Sequence, residues 1–157
     1  YNGEKYLPQM LDSLLVQTRP ADFIVAVDDG SKDNTVRILE SYKDRLPLQI
    51  TCMPENRGHR AAFSKALELS QPQLADDDLI ALADHDDIWC PQKLQQLEEA
   101  IETPCNGILP TLVLGDATVI DAEGKPLYDS WRRVAHIRAE PPVEARIAGT
   151  NNITGCK

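Results

Sequence analysis

Apolar positions recur along the chain with two different periods. Tyr6, Leu7, Met10, Leu11, Leu14 and Leu15 fall at three- and four-residue intervals, the spacing that lines one face of an α-helix. Asn2 is placed to cap that helix, and Pro8 lies in its first turn, where a missing N–H costs little. Phe23 to Val27 is a short β-rich run that reads as a buried strand. Val36, Leu39 and Tyr42, with Ile38 beside them, mark a second amphipathic helix, and Leu48 to Met53 is the next strand. His59 to Leu69 predicts a third helix with Ala62, Phe63, Ala66 and Leu67 on one face. After the polar linker Gln71 to Asp78, Leu79 to Ala83 makes a third strand. Pro91 then opens a fourth helix at its favoured first position, with Leu94, Leu97 and Ile101 inward. Thr111 to Gly115 and Thr118 to Ile120 read as strand, and Asp121-Ala122-Glu123-Gly124 has turn chemistry. Asp129 to Pro142 fits no period.

Alternation of helix and strand in this order predicts an α/β fold, a Rossmann-like, mostly parallel sheet flanked by helices. Ligands of such sheets bind at the carboxyl ends of the strands. The chain has 157 residues, one domain's worth with room for a sizeable core, so a single domain is expected over 1–157. It contains no internal repeat and no low-complexity tract.

Charge narrows the partners. Lys plus Arg number 16 against 25 Asp plus Glu, a formal net charge of −9, which argues against nucleic acid and against an anionic membrane surface. A small anionic ligand stays compatible if a metal bridges it to carboxylates. The four cysteines, Cys52, Cys90, Cys105 and Cys156, have no CxxC spacing and no zinc pattern with the three histidines. They read as buried or free thiols of a reducing compartment, and the expected location is the cytoplasm. No apolar run approaches the roughly 20 residues of a membrane helix. Tyr1 is not an initiator methionine, so the chain reads as a piece of something longer.

The chemistry concentrates at two strand ends. Ala81-Leu82-Ala83-Asp84-His85-Asp86-Asp87-Ile88-Trp89 runs from apolar residues directly into three carboxylates, which repel one another unless a cation sits among them. Mg²⁺ or Mn²⁺ is the simplest answer, since hard cations choose oxygen ligands. In extended backbone, residues two apart project to the same side, so Asp84 and Asp86 face one ligand while His85 turns away towards a packing role. The plainer reading is a solvated acidic loop, which the flanking Trp89 and apolar strand make less apt. Val25-Ala26-Val27-Asp28-Asp29-Gly30-Ser31 ends a second apolar run in the same way. A carboxylate there can accept from a base N–H or a ribose hydroxyl, and Gly30 lets a ligand approach the backbone; an ordinary Asp-Gly turn fits as well. Asn56-Arg57-Gly58 before a helix offers backbone N–H groups or a cation to an anion, or is a plain loop. Asp116 and Asn151-Asn152 are lesser candidates for the same cleft.

Together these segments resemble the family 2 glycosyltransferases. Tyr1-Asn2-Gly3-Glu4-Lys5-Tyr6-Leu7, Asp28-Asp29-Gly30-Ser31-x-Asp33-x-Thr35, Asn56-Arg57-Gly58 and Asp84-His85-Asp86-Asp87-Ile88-Trp89 occur in that family's order. The Asp-Asp-Ile-Trp ending and the closing Asn151-Asn152-Ile153-Thr154-Gly155-Cys156 are most similar to the bacterial rhamnosyltransferase-like branch, although His85 stands where glutamine is common there. The resemblance implies a GT-A fold that binds a nucleotide-diphosphate sugar. It places Asp28 or Asp29 at the base, Arg57 within the donor site, Asp84 at the ribose or sugar, and Asp86, with Asp84, at a Mg²⁺ or Mn²⁺ on the diphosphate. It implies transfer with inversion to a hydroxyl of a saccharide or lipid-linked acceptor, in cell-surface polysaccharide synthesis, with the parent protein at the inner face of the membrane. Family members begin with an apolar strand ending just before Tyr-Asn, and their general base lies beyond the position of Cys156. The domain is therefore expected to be truncated at both ends, and no catalytic base is assigned. The alternatives are a nucleotidyltransferase, which also uses paired acids and Mg²⁺, and a non-catalytic nucleotide-binding module of the same fold. A receiver-like phosphoacceptor domain fits the second acidic cluster poorly.

Overall fold

A computed structural model of the chain describes residues 1–103 and 112–135. They fall into two compact units, 1–102 and 103–157. In the first, helix α1 (Leu7–Leu15) leads to strand β1 (Ile24–Asp28), helix α2 (Thr35–Ser41), strand β2 (Leu48–Cys52), helix α3 (His59–Ser70) and helix α4 (Lys93–Glu102), with one 3₁₀ turn at Gln71–Gln73. β1 and β2 pair in parallel, Ile24 opposite Leu48 through Asp28 opposite Cys52. The helix between them is the crossover that a parallel pair requires, so the α/β class read from the alternation is the observed one.

The core gathers on α1. Leu7, Met10, Leu11 and Leu14 are buried together with Leu39, Leu46 and Trp89, and Ile24, Ala26, Leu48 and Ile50 of the sheet pack against them. Four of the six stripe residues named above are thus buried, together with Ser13 of the same helix. The N-terminus of α1 differs from expectation. Tyr6 occupies the cap position without a side-chain cap bond, and Gly3 O accepts the N–H groups of Tyr6 and Leu7 at 3.0 and 2.9 Å. Asn2 instead has φ of 51° and turns its side chain to the N–H of Lys32 at 3.0 Å.

The expected third strand does not form. Residues 78–84 carry no ladder bonds, and Leu79, Ile80 and Leu82 are exposed. A strand is held by its neighbours, and among the described residues the 79–83 run has no pairing partner, β1 and β2 pairing only with each other. Pro91 lies in a turn two residues ahead of α4 rather than at its first position. No helix among the described residues is long and apolar enough to cross a membrane.

The second unit holds an antiparallel hairpin, β3 (Val119–Ile120) and β4 (Pro126–Tyr128), followed by the short helix α5 (Trp131–Val134). Asp121 and Gly124 close the turn between the strands, with Asp121 Oδ1 accepting from the N–H groups of Glu123 and Lys125. The expected strand at 118–120 is present as β3, whereas 112–115 carries no ladder. Thr111, Cys105, His136, the remainder of the 129–142 segment and the closing 151–156 motif lie outside the described residues.

Candidate functional site

Asp28 is the last residue of β1, and its environment explains the Asp-Asp-Gly-Ser pattern. Its carboxylate accepts the Ser31 N–H at 2.9 Å and the Ser31 hydroxyl. The same hydroxyl oxygen accepts the Asn2 N–H at 2.8 Å. Asp29 points the other way, towards the loop before α3, where one oxygen accepts the Arg57 N–H and the other the Gly58 N–H, each at 2.8 Å. Both carboxylates are nearly enclosed, 4 % and 3 % exposed. A buried ionised group persists only when paired or bonded, and here backbone N–H groups meet that need. Between them Gly30 has φ of +75°, and a Cβ there would sit 2.9 Å from the carbonyl carbon of Glu55. The turn after β1 therefore lies flush on the Glu55–Asn56 backbone, and any side chain at Gly30 would have to displace it.

The first residues of the chain are sewn onto the same turn. The Gly3 N–H donates to Thr35 Oγ1 at 2.7 Å and the Glu4 N–H to Asp33 Oδ2 at 3.0 Å. The Glu4 carboxylate accepts from the Asn34 N–H and its amide nitrogen at 3.1 and 2.7 Å. Burial pushes the Asp33 carboxyl up, but hydrogen bonds from the Thr35 hydroxyl and the N–H groups of Thr35 and Glu4 outweigh it and hold it below its ordinary range. Two motifs that are separate in sequence, Tyr-Asn-Gly-Glu and Ser-x-Asp-Asn-Thr, are one hydrogen-bonded structure.

The second acidic cluster approaches this structure from the other side. Asp84, His85, Asp86 and Asp87 form a half-buried turn. His85 stacks so closely on Gly3 that a Cβ on Gly3 would lie 2.9 Å from the ring, which is the packing role expected for it. Burial, and then the charges of Asp87 and Asp86, push the Asp84 carboxyl up, while His85 and His59 oppose the shift. His59 opens α3 directly after Gly58, the residue whose N–H Asp29 holds. Gly3, bonded to Thr35 and lying against His85, and Asn2, bonded to Ser31, thus bring the Asp28–Ser31 and Asp84–Asp87 loops into one neighbourhood. Arg57 is exposed at its edge. Neither Gly3 nor His59 carried a signal in the sequence that separates it from an ordinary turn glycine or a surface histidine.

The donor set suits a cation that completes its shell elsewhere. Among the described residues no three His, Cys, Asp or Glu side chains enclose a common metal position. Mg²⁺ commonly takes only one or two protein carboxylates and fills its remaining positions with water and phosphate oxygens, and the repulsion of Asp86 and Asp87 on Asp84, which His85 and His59 only partly oppose, is of the kind such a cation would relieve. In the second unit Asp116 is occupied locally. Its carboxylate accepts the Ser130 hydroxyl at 2.6 Å and the N–H groups of Arg132 and Ala117 at 3.0 and 2.9 Å, bonds that hold it below its ordinary range and anchor the start of α5.

Comparison with known proteins now places the chain. Residues 1–140 match the Glycosyl transferase family 2 model, and the chain belongs to that family. It is similar to an uncharacterized glycosyltransferase of Nostoc sp., 34 % identical over 104 residues, covering 66 % of this chain and 31 % of that one. It is also similar to the putative teichuronic acid biosynthesis glycosyltransferase TuaG of Bacillus subtilis, 36 % identical over 107 residues, covering 67 % of this chain and 40 % of that one. Among solved structures it resembles Staphylococcus aureus TarS 1–349 in complex with UDP, with a TM-score of 0.57 and 30 % identity over 65 % of this chain and 30 % of that one. The match gives the α/β arrangement its family, the GT-A fold. The chain spans well under half the length of each of these proteins.

Proposed function

We propose that the chain forms the donor-binding part of an inverting, metal-dependent glycosyltransferase that moves a sugar from a uridine diphosphate sugar to a hydroxyl of a bacterial cell-surface polymer. The observation that carries the reading is the convergence of two acidic loops, one held flush against the start of α3 and the other stacked on Gly3. The relatives support the rest: TuaG is a putative teichuronic acid biosynthesis glycosyltransferase, TarS is a poly(ribitol-phosphate) β-N-acetylglucosaminyltransferase, and the TarS structure contains UDP.

In this reading Asp28 or Asp29 accepts from the base, and the exposed Arg57 guanidinium faces the diphosphate. Asp84 meets the ribose or sugar, and Asp86, with Asp84, holds the cation. A bound Mg²⁺ or Mn²⁺ supplies positive charge that stabilises the departing nucleoside diphosphate. The chain's own contribution is to present carboxylates that are already desolvated and fixed, so that little reorganisation accompanies binding. The acceptor is a hydroxyl of a saccharide or lipid-linked chain, and transfer takes place at the inner face of the membrane.

Calorimetric titration with UDP, dTDP and GDP, each with and without Mn²⁺, tests the reading. UDP is expected to bind with an affinity that Mn²⁺ raises, and Asp86→Ala is expected to remove the Mn²⁺-dependent increment while far-ultraviolet circular dichroism stays unchanged. A preference for dTDP would favour the rhamnosyltransferase-like branch. An Asp86→Ala chain that keeps the full increment would sink the metal assignment.

A further inference from the structure

Helix α1 is tied to both acidic loops, and polar side chains do the tying. Just ahead of its N-terminus, Gly3 bonds Thr35 and lies under His85. At its C-terminal end Ser13 and Gln17 are buried, 5 % and 7 % exposed, in the midst of the apolar core. Ser13 Oγ donates to Met10 O at 2.6 Å and accepts the Trp89 N–H at 3.0 Å. Gln17 Nε2 donates to Ser13 O at 3.0 Å and to Cys90 O at 2.9 Å, and Gln17 Oε1 accepts the Leu94 N–H at 3.1 Å. The Thr18 N–H adds a bond to Pro91 O at 2.8 Å. Four of these partners, Trp89, Cys90, Pro91 and Leu94, lie in the segment that leaves the Asp84–Asp87 loop, while Met10 and Ser13 belong to α1 itself.

Polar groups in a core are costly unless every bond is made, so an apolar residue would serve packing better at both positions. What the polar residues satisfy is backbone. Residues 87–90 belong to no helix or ladder, and their N–H and C=O groups need partners wherever they are enclosed. Trp89, buried in the α1 core with Lys93 Nζ 4.3 Å from its ring centre, closes the same clamp.

We propose that Ser13 and Gln17 are positioning residues for the proposed metal loop: from α1 they fix the chain leaving Asp86-Asp87, while the Gly3 end of the same helix fixes the Asp28–Ser31 turn, so the two loops hold one relative position. The proposal rests on the donor-site reading above and adds to it the device that registers its two halves.

The test uses the 157-residue chain with Gln17→Met, Gln17→Ala, Ser13→Ala and Ser13→Thr, read by UDP titration with and without Mn²⁺ and by hydrogen exchange. Gln17→Met keeps the side-chain volume and guards against a variant that fails to fold. The Mn²⁺-dependent increment in UDP affinity should fall about ten- to hundredfold in Gln17→Met, Gln17→Ala and Ser13→Ala, the range seen when partners that orient a metal ligand are removed. Metal-free UDP affinity should fall by less than the Mn²⁺-dependent increment does, since the Asp28–Ser31 turn is left in place, and exchange should rise over 85–95 but not in β1 or β2. Ser13→Thr, which keeps the hydroxyl, should restore the increment. An increment equal to that of the unsubstituted chain in folded variants overturns the proposal, as does exchange that rises everywhere or nowhere. If the unsubstituted chain shows no increment at all, the donor-site reading itself fails and the proposal with it, a result distinct from the other two.

Discussion

At the scale of single residues, Gly30 shows how far a site can depend on a missing side chain. Its φ of +75° already disfavours any L-residue, and a Cβ would press to 2.9 Å on the backbone of Glu55 and 3.0 Å on that of Asn56. Backbone cannot swing aside as a side-chain tip can. Gly124 makes a natural control, with φ of +81° but open space where its Cβ would be. Gly124→Ala is expected to cost about 1–2 kcal/mol, the price of the left-handed conformation alone. Gly30→Ala should cost more than that and also loosen the Arg57 and Gly58 N–H bonds to Asp29. Urea unfolding of both variants checks the ordering, and equal losses would mean the close approach at Gly30 relaxes freely. The same geometry bears on Asp29: both its oxygens already accept N–H groups, so the proposed role at the base adds to a structural one.

Elements are where the sequence was most and least readable. The stripes of α1, α2 and α3 and the β-rich runs of β1 and β2 lie within a residue or two of their observed bounds; in α1 the period reports a buried face, whereas α3 buries no residue fully and leaves Leu67 exposed. The Leu79–Ala83 run had the composition of a strand and not the partner, and composition carries no information about partners. The acidic loops were legible as chemistry, but their joining through Gly3, Thr35 and His85 depends on contacts across tens of residues that no local period records. That joining makes a prediction about acid. The ionised Asp33 carboxylate bonds Thr35 and Glu4 and is held below its ordinary range in the folded chain. A depressed carboxyl stabilises the fold fully above its unfolded pKa, and the contribution disappears as pH falls through the folded one. Stability should therefore decline as pH drops below about 4, and Asp33→Asn should flatten part of that decline. Urea midpoints across pH 2–7 measure it; identical profiles for the two chains would remove Asp33 as a contributor. Asp116, held low by Ser130 and Arg132, adds a second decline of the same sign in the other unit.

For the molecule as a whole, an unpaired apolar segment competes with a large net charge. Leu79, Ile80 and Leu82 are 49 %, 52 % and 60 % exposed along extended backbone without ladder bonds, and β1 is paired only with β2 among the described residues. Extended apolar chain and open strand edges invite pairing with another copy. Against this stands the net charge of −9, whose repulsion between copies is long-ranged only at low salt, because the screening length shrinks to about 8 Å at physiological ionic strength. The balance should therefore tip with salt: monomer in dilute buffer, and association that grows with protein concentration once the charges are screened. Leu82→Lys places a cation at the most exposed of the three positions without touching the core. It should suppress that association while leaving the Asp84–Asp87 turn and the helical circular dichroism signal as they are. Sedimentation or light scattering of both chains over a salt series decides the matter. Association that weakens with salt would mean the contact is electrostatic, and association untouched by Leu82→Lys would move it to another surface.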